Sequence, residues 1–145
     1  MLDAFSFIGG FGLHAARAGA ASVVGIDQSE EATRVAQRLA ETNGLANRCT
    51  FETANVFDWL RTHTAAATPQ TETPPAPSFD MVILDPPSFT RNRAAVPDAL
   101  RGYKEIHLRG LKLLRPGGIL ATFCCSHHVD ARTFETVIQE AARDA

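Results

Sequence analysis

Strand-like and helix-like segments alternate five times along this 145-residue chain, and that order restricts the fold more than any single residue does. "LDAFSF", "SVVGID", "CTFETA", "FDMVILD" and "ILATFCC" are compact apolar runs with strand character. Between them, "LHAARAGA", the stretch from Ser29 to Asn43-Gly44, "VFDWLRTH" and the stretch from Pro97 to "RPGG" have helical patterns, and a last helix begins near Ala131. The order βαβαβαβαβα predicts an open, mainly parallel sheet with helices on both faces and right-handed crossovers. In such sheets, ligands bind beyond the carboxyl ends of the strands.

Local chemistry supports these assignments. Ser29 is a suitable N-cap, and Glu30 and Glu31 sit where the helix dipole favours acids. The spacing predicts that this helix buries Ala32, Val35, Ala36 and Leu39. Pro97 suits a first helical turn, and Leu100, Tyr103, His107, Leu111 and Leu114 follow at helical intervals. "TAAATPQTETPPAP", residues 64–77, has no apolar period and is expected to be a surface insertion.

Composition narrows the class. The chain is 45% hydrophobic and 21% charged with a net charge of -2, so its overall charge does not point to nucleic acid. No run is long enough to span a membrane, and no signal peptide is expected ahead of the first strand. Three cysteines do not make a secreted disulfide scaffold; a reduced, cytoplasmic protein is expected. The chain opens directly on a strand and stops in a helical pattern, which suggests that residues 1–145 are one catalytic-type domain cut from a longer protein.

The residues at the carboxyl edge carry the chemistry. Gly10-x-Gly12-x-x-Ala15 after the first strand satisfies a relaxed dinucleotide fingerprint, which also serves any tight strand-to-helix turn. Asp3 lies just ahead of it, and Asp27 ends the second strand, where a carboxylate can accept from both ribose hydroxyls. A pyrophosphate at the glycine turn would be repelled by Asp3. S-adenosylmethionine (SAM) has no phosphate there; it carries an ammonium and a sulfonium, so SAM fits better. The expected cofactor set is Asp3, Phe5, Gly9, Gly10, Gly12, Asp27, Gln28, Ser29, Asn55, Asp58 and Asp85. Asp58 is expected at the adenine amino group, with Phe57 as the alternative flank.

Asp85-Pro86-Pro87 closes the fourth strand. Consecutive prolines make a rigid turn without N–H donors, so its carbonyls are acceptors for an amino group on a base. Phe89 is a candidate stacking residue. Residues 91–115 carry a local charge of about +5, which suggests a phosphate-facing surface with Arg91, Arg93 and Lys104 among its contacts. "CCSHH", residues 124–128, remains open at this point between a nucleophile, a metal site and buried thiols. It lacks a second spaced ligand pair for zinc, and adjacent cysteines seldom form an unstrained disulfide.

"DAFSFIGGFGLHAARAGA", "VVGIDQSEEA", "NVFDWL", "FDMVILDPPSFTRNRAAVPDALRGYKEIHLRGLKLLRPGGIL" and "TFCCSHHV" together resemble the bacterial SAM-dependent methyltransferases that form 5-methylcytosine in 23S ribosomal RNA. The likeness covers nearly the whole chain. It implies a Rossmann-like class I methyltransferase domain, preceded in that family by a PUA-type RNA-binding domain and a linking domain, and followed by further strands. Cys124 stands where the family's Ser-Cys-Ser has its first serine, so Cys125 matches the nucleophile. In the mechanism this implies, Cys125 attacks carbon 6 of cytosine, Asp85 contacts ring nitrogen 3 or the 4-amino group, and the Pro86 carbonyl assists. The substrate is then ribosomal RNA, with no metal and no membrane. The two alternatives are methylation at another base position without a covalent step, and a dinucleotide-binding oxidoreductase. With no later strands, the open edge of strand five predicts self-association.

Overall fold

The computed structural model describes residues 1–65, 79–90 and 92–145. Five strands are found, β1 (Leu2–Ala4), β2 (Val23–Asp27), β3 (Cys49–Thr53), β4 (Phe79–Leu84) and β5 (Leu114–Thr122). The helices are α1 (Gly10–Arg17), α2 (Glu30–Thr42), α3 (Val56–Thr64), α4 (Val96–Lys112) and α5 (Ala131–Asp144), with a 3₁₀ turn at Arg93–Ala95. The strands form one parallel sheet in the order β3-β2-β1-β4-β5. The expected alternation is therefore present, as a Rossmann-like sheet. Most of the 64–77 insertion, residues 66–77, lies outside the described residues.

Side-chain alternation along the strands builds a core on each face. Leu2 and Ala4 of β1, Ile26 of β2, and Val82 and Leu84 of β4 join residues of α3, α4 and α5 in one cluster. Met1, Val23, Cys49 and Ile83 point the other way, toward Ala16 of α1 and Ala40 of α2. Chain order reverses at the β1–β4 pair, since the crossovers run one way from β1 to β3 and the other way from β4 to β5. This opens a crevice at the carboxyl ends of β1 and β4, the usual place for a ligand.

Three local expectations are corrected. The first strand stops at Ala4, because Phe5 (φ 67°) and Phe7 (φ 48°) adopt left-handed backbone and turn the chain away from the sheet. The face of α2 that meets the sheet consists of Ala32, Thr33, Ala36 and Ala40, whereas Val35 is 38% exposed. Small residues allow the helix to approach closely, so the stripe lies about one position away from the larger aliphatic side chains. Strand five begins earlier than expected and ends before the cysteines. It takes in "RPGG" through an irregularity against β4, with Gly117 at φ 80°. Its last ladder bond is Phe123 N–H to the Leu84 carbonyl (2.9 Å), beyond which β4 runs into Pro86 and Pro87, which have no N–H to donate.

On α4 the buried positions are Ala99, Tyr103, Ile106, His107 and Gly110. Pro97 is in the first turn, as expected. β5 occupies the end of the sheet, and among the described residues nothing pairs with its outer edge; Ile119 there is 61% exposed. No described helix is long and apolar enough to cross a membrane.

Candidate active site

The turn after β1 is built around a buried acid. Asp3 is 1% exposed, and its Oδ2 accepts the Gly12 N–H at 2.8 Å. This ties the start of α1 to the sheet and requires glycine at position 12. A Cβ there would lie 2.8 Å from Val23 Cγ1 and 3.2 Å from Asp3 Oδ2. Gly9, at φ +80°, forms the left-handed entry to α1, where a Cβ would stand 2.6 Å from the Phe51 ring. The other Asp3 oxygen, Oδ1, is buried without a partner, as is the Ser6 hydroxyl oxygen. Burial pushes the Asp3 carboxyl up to about 6, against the Gly12 hydrogen bond, and the nearby Asp85 and Asp27 carboxylates push the same way. The site is therefore short of positive charge and of a hydrogen-bond donor. An ammonium-bearing ligand supplies both, and a pyrophosphate supplies neither.

This shift has a consequence for stability. Folded Asp3 holds its proton up to about pH 6, against an ordinary carboxylate value of 3.8. The folded domain thus binds more protons than the unfolded chain between these values. Stability is expected to be highest below about pH 4 in this respect and to fall as pH rises through 6, by roughly 3 kcal/mol in total. Denaturant titrations at pH 4.5 and 7 should show about 2 kcal/mol of this loss in the protein and its absence in Asp3→Asn; an equal pH response in both would contradict the assignment.

A cavity of about 550 Å³ opens beside this turn. Phe5, Phe7, Asp27, Gln28, Asn55, Val56 and Phe57 line one side, and Asp85, Pro86, Pro87 and Phe89 the other. Asp27 Oδ2 accepts the Phe7 N–H and its Oδ1 the Ser29 N–H, both at 2.9 Å. Two backbone segments thereby hold the carboxylate in one orientation, with lone pairs left for a diol. Ser29 Oγ caps α2 by accepting from Ala32 N–H (3.2 Å), and Asn55 Oδ1 caps α3 by accepting from Asp58 N–H (3.2 Å). Gly10 and Asp85 border an adjoining depression with Phe11 and His14. Asp58 does not line the cavity: its exposed side chain pairs with Arg61 at 3.1 Å. Phe57 lines the cavity.

The two cysteines lie in the loop after β5 and diverge. Cys125 is exposed, and its Sγ lies 3.6 Å from the Pro86 carbonyl oxygen. The Cys124 thiol points inward and donates to the Tyr103 hydroxyl at 3.3 Å. Cys125 thus lies against the carbonyl of Pro86, which lines the cavity together with Asp85, while Cys125 itself is not among the lining residues. His127 and His128 are exposed. Among the described residues, no group of three His, Cys, Asp or Glu side chains gathers in a metal-holding arrangement.

The basic stretch looks different in space. Lys104 Nζ lies 2.9 Å from Asp144 and 3.6 Å from Glu140, bracing α4 against α5. Arg101 pairs with Asp98, Arg109 with Glu105 (3.0 Å), and Arg115 with Asp80. Acids from β4 and α5, distant in sequence, offset much of the local excess. Arg93 is exposed in the 3₁₀ turn, and Arg91 lies outside the described residues. Phe89 is half-buried among Tyr103 (4.7 Å between ring centroids), Phe57 (5.6 Å) and Phe5 (6.4 Å), so it is part of the cavity wall.

A parallel sheet with a buried acid and a glycine turn beside a cavity at its carboxyl edge defines a Rossmann-like α/β domain. The methyltransferase domain family model matches residues 1–143, and the chain belongs to that family. It is 38% identical over 148 aligned residues to ribosomal RNA large subunit methyltransferase I of Vibrio cholerae, and 39% identical over 146 to that of Shewanella amazonensis. Each alignment covers 100% of this chain and 35% of the relative, so the chain spans about a third of the length of these proteins. Among solved structures, SMU.776 complexed with SAH superposes with a TM-score of 0.74 at 24% identity, covering 97% of this chain and 34% of that one. The SAM-dependent methyltransferase from Agrobacterium tumefaciens gives 0.72 at 19% identity, covering 97% and 43%. The fold is that of the SAM-dependent methyltransferases.

Proposed function

We propose that this domain transfers a methyl group from SAM to carbon 5 of a cytosine in 23S ribosomal RNA, through a covalent intermediate on Cys125. The observation that carries the covalent step is the placement of the exposed Cys125 thiol 3.6 Å from the carbonyl of Pro86, a residue that lines the cavity. The ribosomal substrate is supported by the names of relatives that are 38–39% identical over the whole chain. SAM, when bound, supplies the methyl group on an electrophilic sulfonium.

The chain's own residues do the rest. Asp3 Oδ1 and the nearby Asp85 and Asp27 carboxylates favour a cationic amino-acid end at the glycine turn. Asp27 holds the ribose, and Phe57 flanks the base of the cofactor. The target cytosine must be splayed out of the RNA to reach Cys125. There the Cys125 thiolate bonds to carbon 6, which gives carbon 5 the electron density it otherwise lacks. Asp85 and the Pro86 carbonyl orient the ring edge. Loss of the carbon-5 proton to a base then expels the thiolate and restores the aromatic ring.

Nuclease digestion and mass spectrometry of ribosomal RNA incubated with the protein and SAM test the product. 5-Methylcytidine is the expected new nucleoside. A methyl group on an exocyclic amine would contradict the covalent reading and leave only the methyltransferase assignment.

A further inference from the structure

A chain of hydroxyls, buried at Tyr103 and Ser126 and reaching the surface at Ser88, joins the loops after β4 and β5. Ser88, in the loop after β4, donates to the Thr90 carbonyl at 3.0 Å. Its Oγ is 3.1 Å from Ser126 Oγ, in the loop after β5. Ser126 Oγ is 2.8 Å from the Tyr103 hydroxyl, and Cys124 Sγ is 3.3 Å from the same hydroxyl. Tyr103 is 0% exposed and Ser126 4%.

The directions of these bonds follow from proton counting. A carbonyl only accepts, so the Ser88 proton goes to Thr90. Ser88 Oγ therefore accepts from Ser126, Ser126 accepts from Tyr103, and Tyr103 accepts from the Cys124 thiol. Each hydroxyl donates once and accepts at least once. Burial pushes the tyrosine hydroxyl up to about 12, so it stays protonated and able to donate. Tyr103 is itself fixed on α4 by packing against Phe89 and Phe134. The next turn of α4 reaches the same strand end, where His107 Nε2 is 2.8 Å from Thr122 Oγ1.

We propose that Tyr103, Ser126 and Ser88 are positioning residues that latch the Cys125 loop onto the Asp-Pro-Pro turn. The backbone ladder ends at Phe123, so it cannot hold the next residues. The latch fixes Cys124 inward and Ser126 inward, which leaves Cys125 between them facing Pro86. The catalytic consequence rests on Cys125 being the nucleophile. The latch itself can be read without substrate.

The test compares the protein with Ser88→Ala, Tyr103→Phe and Ser126→Ala. Ser88 is exposed, so its truncation removes the bridge between loops without opening the core. Amide hydrogen exchange over residues 123–129 is expected to rise about tenfold in Ser88→Ala and Tyr103→Phe, while exchange in β1 and β2 stays unchanged. The turnover number should fall about 10- to 100-fold, with the KM for RNA and the affinity for S-adenosylhomocysteine (SAH) within about twofold. Ser88→Ala combined with Tyr103→Phe should be no slower than the worse single variant, because both break one chain. Unchanged exchange in the loop would overturn the latch, as would additive effects or a parallel loss of SAH affinity. If Cys125→Ala keeps full turnover, the covalent reading fails, and the exchange measurement still decides the latch.

Discussion

Cys125→Ala is expected to lower methyl transfer to RNA by at least about 10³-fold, while SAH binds as before. Carbon 5 of cytosine is a poor nucleophile on its own, so removing the covalent activator removes the step rather than slowing it slightly. The adjacent cysteine provides the control. Cys124 points inward and donates to Tyr103, so Cys124→Ala should lose less than about tenfold, through the loop alone. Both variants should fold, since Cys125 is exposed and Cys124 half-buried. Single-turnover methyl transfer and SAH titration measure the two effects separately. Equal losses in the two variants would remove the distinction between the thiols. Full activity in Cys125→Ala would leave a methyltransferase without a covalent step.

The second large effect concerns the cofactor. Asp27→Ala is expected to weaken SAH binding about 10²-fold, because hydrogen bonds to a charged acceptor contribute about 1.5–3 kcal/mol each. The substitution also frees the Phe7 and Ser29 N–H groups that the carboxylate holds at 2.9 Å, which loosens the cavity wall at Phe7. Asp58→Ala should change the affinity by less than about twofold, since that side chain is exposed and paired with Arg61. Calorimetric titration of the two variants with SAH separates the cases. A larger loss at Asp58 than at Asp27 would move the adenine back to the position suggested by sequence alone.

The elements themselves were legible because their signals are local. Ser29 caps α2 and Pro97 opens α4, and the apolar runs form the strands in the expected order. Asp27 and Asp85 could be placed because both end strands, and strand ends in a parallel sheet converge on one edge. Features that depend on distant partners were not legible. Lys104 reads as a phosphate contact until Glu140 and Asp144 are brought beside it by α5. Phe7 gave no sign of lining the cavity, because its left-handed backbone follows from the turn and not from its side chain. The end of β5 was misplaced for a related reason: the prolines that stop its ladder follow the end of another strand, β4. Ser126 was visible in "CCSHH", but its partner Tyr103 is 23 residues away, at a helix position read as part of a core face.

Intact-mass analysis of the protein after incubation with SAM and a ribosomal RNA fragment containing 5-fluorocytosine tests the central claim most directly. Fluorine at carbon 5 cannot leave as a proton, so the enzyme–RNA bond should persist after methyl transfer. An RNA adduct is expected that maps to Cys125 by peptide sequencing, survives in Cys124→Ser and disappears in Cys125→Ser. An adduct lost in Cys124→Ser and retained in Cys125→Ser would contradict it.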